Sequence, residues 1–205
     1  MNRDQRLLEE AYQSIYESTR EPLYFGPPER KQNLLRQLHM MSGMVEVHED
    51  GSVSVHGEVD FTHQHIFQLP FKFKEVTGKF ICMGNYLKSL EGAPEKVGGG
   101  FTCSSNQLSS LKGSPEVIEQ YFDCSNNKIT SLEGAPRIVK GDFWCRYNPN
   151  LTSLEGAPEF IGGVFDSKQF SDEDYRKFVK RRELDKRVSK ELDKDFDVNV
   201  FNDFE

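Results

Sequence analysis

From Phe80 onward, apolar and polar residues recur in a fixed order. Four stretches begin at Phe80, Phe101, Phe122 and Phe143, spaced 21 residues apart, and the last carries one extra residue. In the unit from Phe122, Phe122 and Cys124 alternate with Asp123 and Ser125. That period of two predicts a short strand with one face inward. Asn127, Ile129 and Leu132 follow, and then Gly134-Ala135-Pro136. Gly92-Ala93-Pro94, Gly113-Ser114-Pro115 and Gly156-Ala157-Pro158 recur in phase. Glycine supplies unusual φ and proline resists helix, so the return half of each unit is expected to be turn or extended chain. Val97, Ile118, Val139 (or Ile138) and Ile161 are the expected inward residues there. A period this short predicts a solenoid, because one coil cannot bury its own apolar side and must stack on its neighbours.

The pattern F-x-C-x-x-N-x-[LI]-x-x-L resembles the leucine-rich repeat, with Phe and Cys in two of the Leu places. Asn85, Asn106, Asn127 and Asn148 stand at that repeat's Asn position, where a buried amide must be paired and is therefore expected to be structural. The resemblance implies a parallel sheet on the concave face. Stepping back one period makes Val59–Lys79 a degenerate first coil, with Phe61 in the Cys place and Gln64 in the Asn place. Forward, Val164–Ser167 begins a closing strand. About five coils at ~4.8 Å per step make a stack roughly 25 Å long.

Solenoid ends need covering. Met44–His56 reads as a β-hairpin pairing Val45 with Val55 and Val47 with Val53 around Glu49-Asp50-Gly51. Helices are expected over residues 3–18, with Leu8, Ala11, Tyr12 and Ile15 as their stripe, and over Pro28–Met41. Ser171 with Asp174 three residues on marks the start of a C-terminal helix. Asp193–Glu205 reads as an acidic tail. The expected organisation is an α+β repeat protein: residues 1–57 form an N-terminal helical and hairpin cap, 58–170 the leucine-rich-repeat solenoid, and 171–205 a C-terminal helical cap and tail.

Composition narrows the function. The net charge of −7 argues against nucleic acid, because phosphate contacts need a basic surface. No apolar run approaches a membrane span, and the charged start lacks a signal-peptide core, so a cytoplasmic location is expected. Cys82, Cys103, Cys124 and Cys145 occupy the same place in each unit. Stacked side chains at that spacing are too far apart for an unstrained disulfide, and a line of rungs does not converge on a metal, so free core thiols are expected. The five histidines fall between His39 and His65 without convincing ligand spacing. No cofactor is implied. The basic residues from Arg176 to Arg187 are interleaved with acids and read as a solvated helix face.

The segments HEDGSVSVHGEVDF and LPFKFKEVTGKF, followed by units carrying SLEGAP and F-x-C-S-x-N, resemble the leucine-rich-repeat-like proteins of large tailed bacteriophages. This resemblance covers about residues 45–170. It implies a phage-encoded chain acting in the host cytoplasm on a host protein, such as a defence or regulatory factor. A virion-associated structural protein is the alternative.

The outward strand positions differ from coil to coil, so the coil does not dictate them. Trp144, Arg146 and Tyr147, with Tyr121 and Asp123 one coil away, are the expected protein-binding residues, since Trp, Tyr and Arg dominate binding hot spots; the alternative is that the C-terminal helix folds over Trp144 and caps the stack. Ile81 and Met83 form a second, apolar pair near the other end, expected either to bind a partner or to be covered by the N-terminal helices. Phosphate-loop, nucleophile-elbow and zinc signatures do not occur, and no cysteine follows Cys145, so no enzyme is expected.

Overall fold

The computed structural model describes residues 44–195, together with Arg6 and Glu10. Apart from those two, which form an i,i+4 ion pair of 3.4 Å, the helices expected over 3–18 and 28–41 lie outside the described residues. So does the tail beyond Asp195. The hairpin has the expected register: β1 (Met44–Val47) pairs antiparallel with β2 (Val53–His56), Val45 opposite Val55 and Val47 opposite Val53. His48 and Ser52 close the turn, the His48 amide donating to the Ser52 carbonyl at 2.9 Å. Gly51 has φ 76°, the conformation this bulged turn requires. Asp50 accepts from both the amide and the hydroxyl of Ser52, which hold its carboxyl down at about 2.

Beyond the hairpin the chain winds into a parallel β-solenoid. The strand halves form one six-stranded parallel sheet: β3 (Val59–Asp60), β5 (Phe80–Ile81), β7 (Phe101–Thr102), β9 (Phe122–Asp123), β11 (Phe143–Trp144) and β13 (Phe165–Asp166). The return halves are more regular than expected. Their extended residues form a second sheet, in which β4 (Phe73–Val76), β6 (Lys96–Val97), β8 (Val117–Ile118), β10 (Ile138–Val139) and β12 (Phe160–Ile161) pair in parallel. β2 joins it through β4, with a register shift between Val53 and Ser54, and brings β1 with it, making seven strands in all. The hairpin is thus continuous with the solenoid. Val97, Ile118 and Val139 are buried, while Ile138 is half-buried.

The core lies between the sheets. Phe80, Phe101, Phe122, Phe143 and Phe165 stack with centroids 5.3, 5.4, 5.3 and 5.8 Å apart. Each buried side chain of this size contributes about 1.5–3 kcal/mol. The four cysteines are buried and free beside them. Burial pushes their thiols up, Cys145 to about 12.

The asparagines form a ladder. Asn106 donates to the Cys82 carbonyl of the preceding coil (2.9 Å) and to Cys103 (3.1 Å), and accepts from the Leu87 amide (3.0 Å). Asn127 repeats this with Cys103, Cys124 and Leu108. In the first coil the Gln64 side chain donates instead to the carbonyl of its neighbour Thr62 at 3.2 Å. After the last strand, α1 (Asp172–Asp195) runs 24 residues and absorbs the first residues assigned to the tail. Ser171 and Asp174 bond reciprocally, amide to side chain at 2.8 and 3.1 Å. Tyr175 stacks on Phe165 (5.0 Å) and donates to the Pro158 carbonyl, and Arg182 donates to the Ala157 and Pro158 carbonyls.

Candidate functional site on the six-stranded sheet

In the six-stranded sheet Phe and Cys point inward in the four coils from Phe80 to Cys145, and Val59 with Phe61 in the first coil, so the residues between and beside them point out. Strand pairing places Asp60, Ile81, Thr102, Asp123, Trp144 and Asp166 in one outward column. Trp144 therefore has Asp123 on one side and Asp166 on the other, about 4.8 Å away along the stack.

The expected binding residues of this end converge. The Tyr121 ring stacks on Trp144 at 5.3 Å with 25° between planes. Tyr121 reaches there because residue 100 is glycine: a Cβ on Gly100 would lie 2.4 Å from the Tyr121 ring. Tyr121 is thus held between the Gly100 backbone and the indole, and both rings are half-buried. Arg146, 57% exposed, pairs with Asp166 at 2.5 Å. Asp123 accepts from the Ser125 amide at 2.9 Å. Tyr147 is 62% exposed, with the Lys168 ammonium 5.9 Å from its ring centroid. The contacts of α1 with the solenoid run to Phe165, Ala157 and Pro158.

Ile81 and Met83 do not belong to this cluster. Ile81 stands three rungs from Trp144, roughly 14 Å at the ordinary strand spacing, and both side chains are half-buried.

Tyr147 carries a further peculiarity. The residue just before the asparagine position is left-handed in every coil: His63 (φ 54°), Gly84 (70°), Ser105 (56°), Asn126 (56°) and Tyr147 (55°). The chain reverses curvature there to bring the asparagine amide inside. Glycine, asparagine and small polar residues accept that conformation, whereas a bulky side chain is strained by it.

A second exposed aromatic group forms where His63-Gln64-His65 and Met83-Gly84-Asn85-Tyr86 depart from the plainer Ser- and Asn-rich units. Tyr86 stacks on His65 (5.9 Å) and on Phe67 (5.1 Å), with Phe67 48% and Tyr86 40% exposed. His65 and Tyr86 are one period apart, so the repeat itself carried the signal.

On the second sheet the charged residues pair between coils: Arg137 bridges Glu116 (2.9 Å) and Glu159 (3.3 Å), and Lys140 meets Glu119 (2.6 Å). Exposed pairs of this kind contribute little stability. Among the described residues, no group of His, Cys, Asp and Glu is arranged to hold a metal ion, and no helix is long and apolar enough to cross a membrane. The chain matches no family model, and no curated protein or solved structure is significantly similar to it.

Proposed function

We propose that this chain is a non-catalytic, protein-binding repeat module of the leucine-rich-repeat-like type, reading its partner with the outer face of the six-stranded sheet around Trp144. The observation that carries the reading is Tyr147. Its position demands a left-handed backbone, and the equivalent residues are His, Gly, Ser and Asn. A tyrosine there is strained by the coil yet 62% exposed, so its ring contributes little to the fold. Strain retained at an exposed aromatic points to use of that side chain. It sits beside Arg146, Trp144 and Tyr121, the residue types that anchor interfaces.

The asparagine ladder supports the leucine-rich-repeat assignment, and the hairpin and α1 are read as the caps such a stack requires. The bacteriophage setting, with a host protein as partner in the host cytoplasm, rests on the resemblance of the SLEGAP and F-x-C-S-x-N units.

The test is affinity capture with the tagged chain from bacterial host extract, in parallel with Trp144→Ala/Arg146→Ala. A specific partner retained by the parent and lost by the double variant, with unchanged circular dichroism, is the expected result. An identical set of partners on both would sink the assignment of this face.

A further inference from the structure

We propose that the partner presents a basic side chain, arginine before lysine, to Trp144 and Asp123; this rests on the six-stranded sheet being the binding face. The register puts Trp144 between two carboxylates of its own column, Asp123 and Asp166. They are not equivalent. Asp166 is answered within the chain by Arg146. Asp123 has the Ser125 amide on one oxygen and no ion pair among the described residues. A half-buried indole next to an unanswered carboxylate is a cation site in chemical outline. The ring quadrupole attracts a guanidinium or ammonium, and the carboxylate supplies the counter-charge.

Arginine fits better than lysine because its planar group stacks on an aromatic ring while donating sideways to a carboxylate. The same end of the sheet already holds one cation–aromatic contact, the Lys168 ammonium 5.9 Å from the Tyr147 ring centroid.

Charge complementarity points the same way. The outward positions of the six strands carry Glu58, Asp60, Asp123, Asp142 and Asp166 against Lys79, Arg146 and Lys168, and the whole chain carries −7. An acidic segment laid across Trp144 would meet Asp123 and Asp166. A purely apolar one would bury the Asp123 charge without a partner, which costs several kcal/mol. A basic segment avoids both penalties. The site is also prepared for it, because Tyr121 is wedged between Gly100 and the indole and fixes the ring before a partner arrives.

Trp144 is the only tryptophan in the chain, so its fluorescence reports on the site directly. The probe is a capped peptide of alternating arginine and glycine, compared with the same peptide carrying neutral citrulline for arginine and with a glutamate version. The arginine peptide is expected to give a saturable change in Trp144 emission, with affinity falling by up to about five-fold in Asp123→Asn, the scale of one exposed carboxylate–cation contact. Glu119→Gln, on the second sheet, should bind as the parent does. Thermal unfolding of each variant separates binding from folding.

Equal binding of the citrulline peptide, or unchanged affinity in Asp123→Asn, would overturn the cation inference. If citrulline or glutamate peptides gave the saturable change instead, the face would bind while its preference for cations fell. If the arginine peptide produced no response while Trp144→Ala/Arg146→Ala still lost a captured partner, this inference alone would fail. If neither the peptide nor the double variant had any effect, the binding face itself would be wrong.

Discussion

At the residue scale, two kinds of position share each coil, and they differ in who chooses the side chain. The asparagine ladder belongs to the fold: each amide joins carbonyls of two coils, leaving it no spare chemistry. Tyr147 is the opposite case. Asn126 occupies the equivalent place one coil earlier at φ 56°, a conformation asparagine tolerates. Replacing Tyr147 by Asn should therefore release backbone strain and raise stability by about 0.5–1 kcal/mol. The same change should weaken capture of the partner. Urea unfolding and binding measured on one preparation would check both. A variant less stable than the parent would show that the ring stabilises the coil, and the argument from strain would go with it.

At the element scale, what could be read in the sequence depended on how a strand is specified. The alternation of Phe122 and Cys124 with Asp123 and Ser125 marked the six-stranded sheet, and the valines of Met44–His56 marked the hairpin register. The second sheet was harder to see. In each return half a single buried residue, such as Ile118 or Val139, is followed by exposed ones, so no alternation shows. The hydrogen-bond partners of its strands come from neighbouring coils rather than from local sequence. The start of α1 was legible as Ser171 and Asp174, and it carries a pH dependence. The Ser171 hydroxyl and amide hold the Asp174 carboxyl below its usual range, and Arg176 does the same for Asp172. A carboxyl depressed on folding contributes stability that is complete above its unfolded value, near 3.9, and is lost as pH falls through the folded value. The first turn of α1 should thus open progressively from about pH 4 downward. Amide exchange at Tyr175 and Arg176 would follow it, and Asp174→Asn should flatten the profile. A profile of equal steepness in that variant would place the acid sensitivity elsewhere.

At the scale of the whole molecule, a stack of coils that touch only their neighbours has stability that varies along its length, with the end coils opening at lower cost than the middle. The four cysteines report on this, one per coil. Thiolate is the reactive species, and burial holds these thiols far above neutral pH, so the closed chain should resist thiol reagents. Labelling then measures opening, coil by coil. Cys103 and Cys124 lie in the middle of the stack, and Cys145 lies one rung from β13, where Tyr175 stacks on Phe165. Tyr175→Ala removes that stack and the hydroxyl bond to Pro158, a loss of about 3 kcal/mol for a buried aromatic, or ~100-fold in the local opening equilibrium. Labelling of Cys145, read by mass spectrometry of its peptide, should accelerate by roughly that factor. Cys103 and Cys124 should change far less. If all four cysteines accelerated together, the solenoid would open as a single cooperative unit. The coil-by-coil independence that lets outward residues vary without disturbing the stack would then have to come from side-chain tolerance alone.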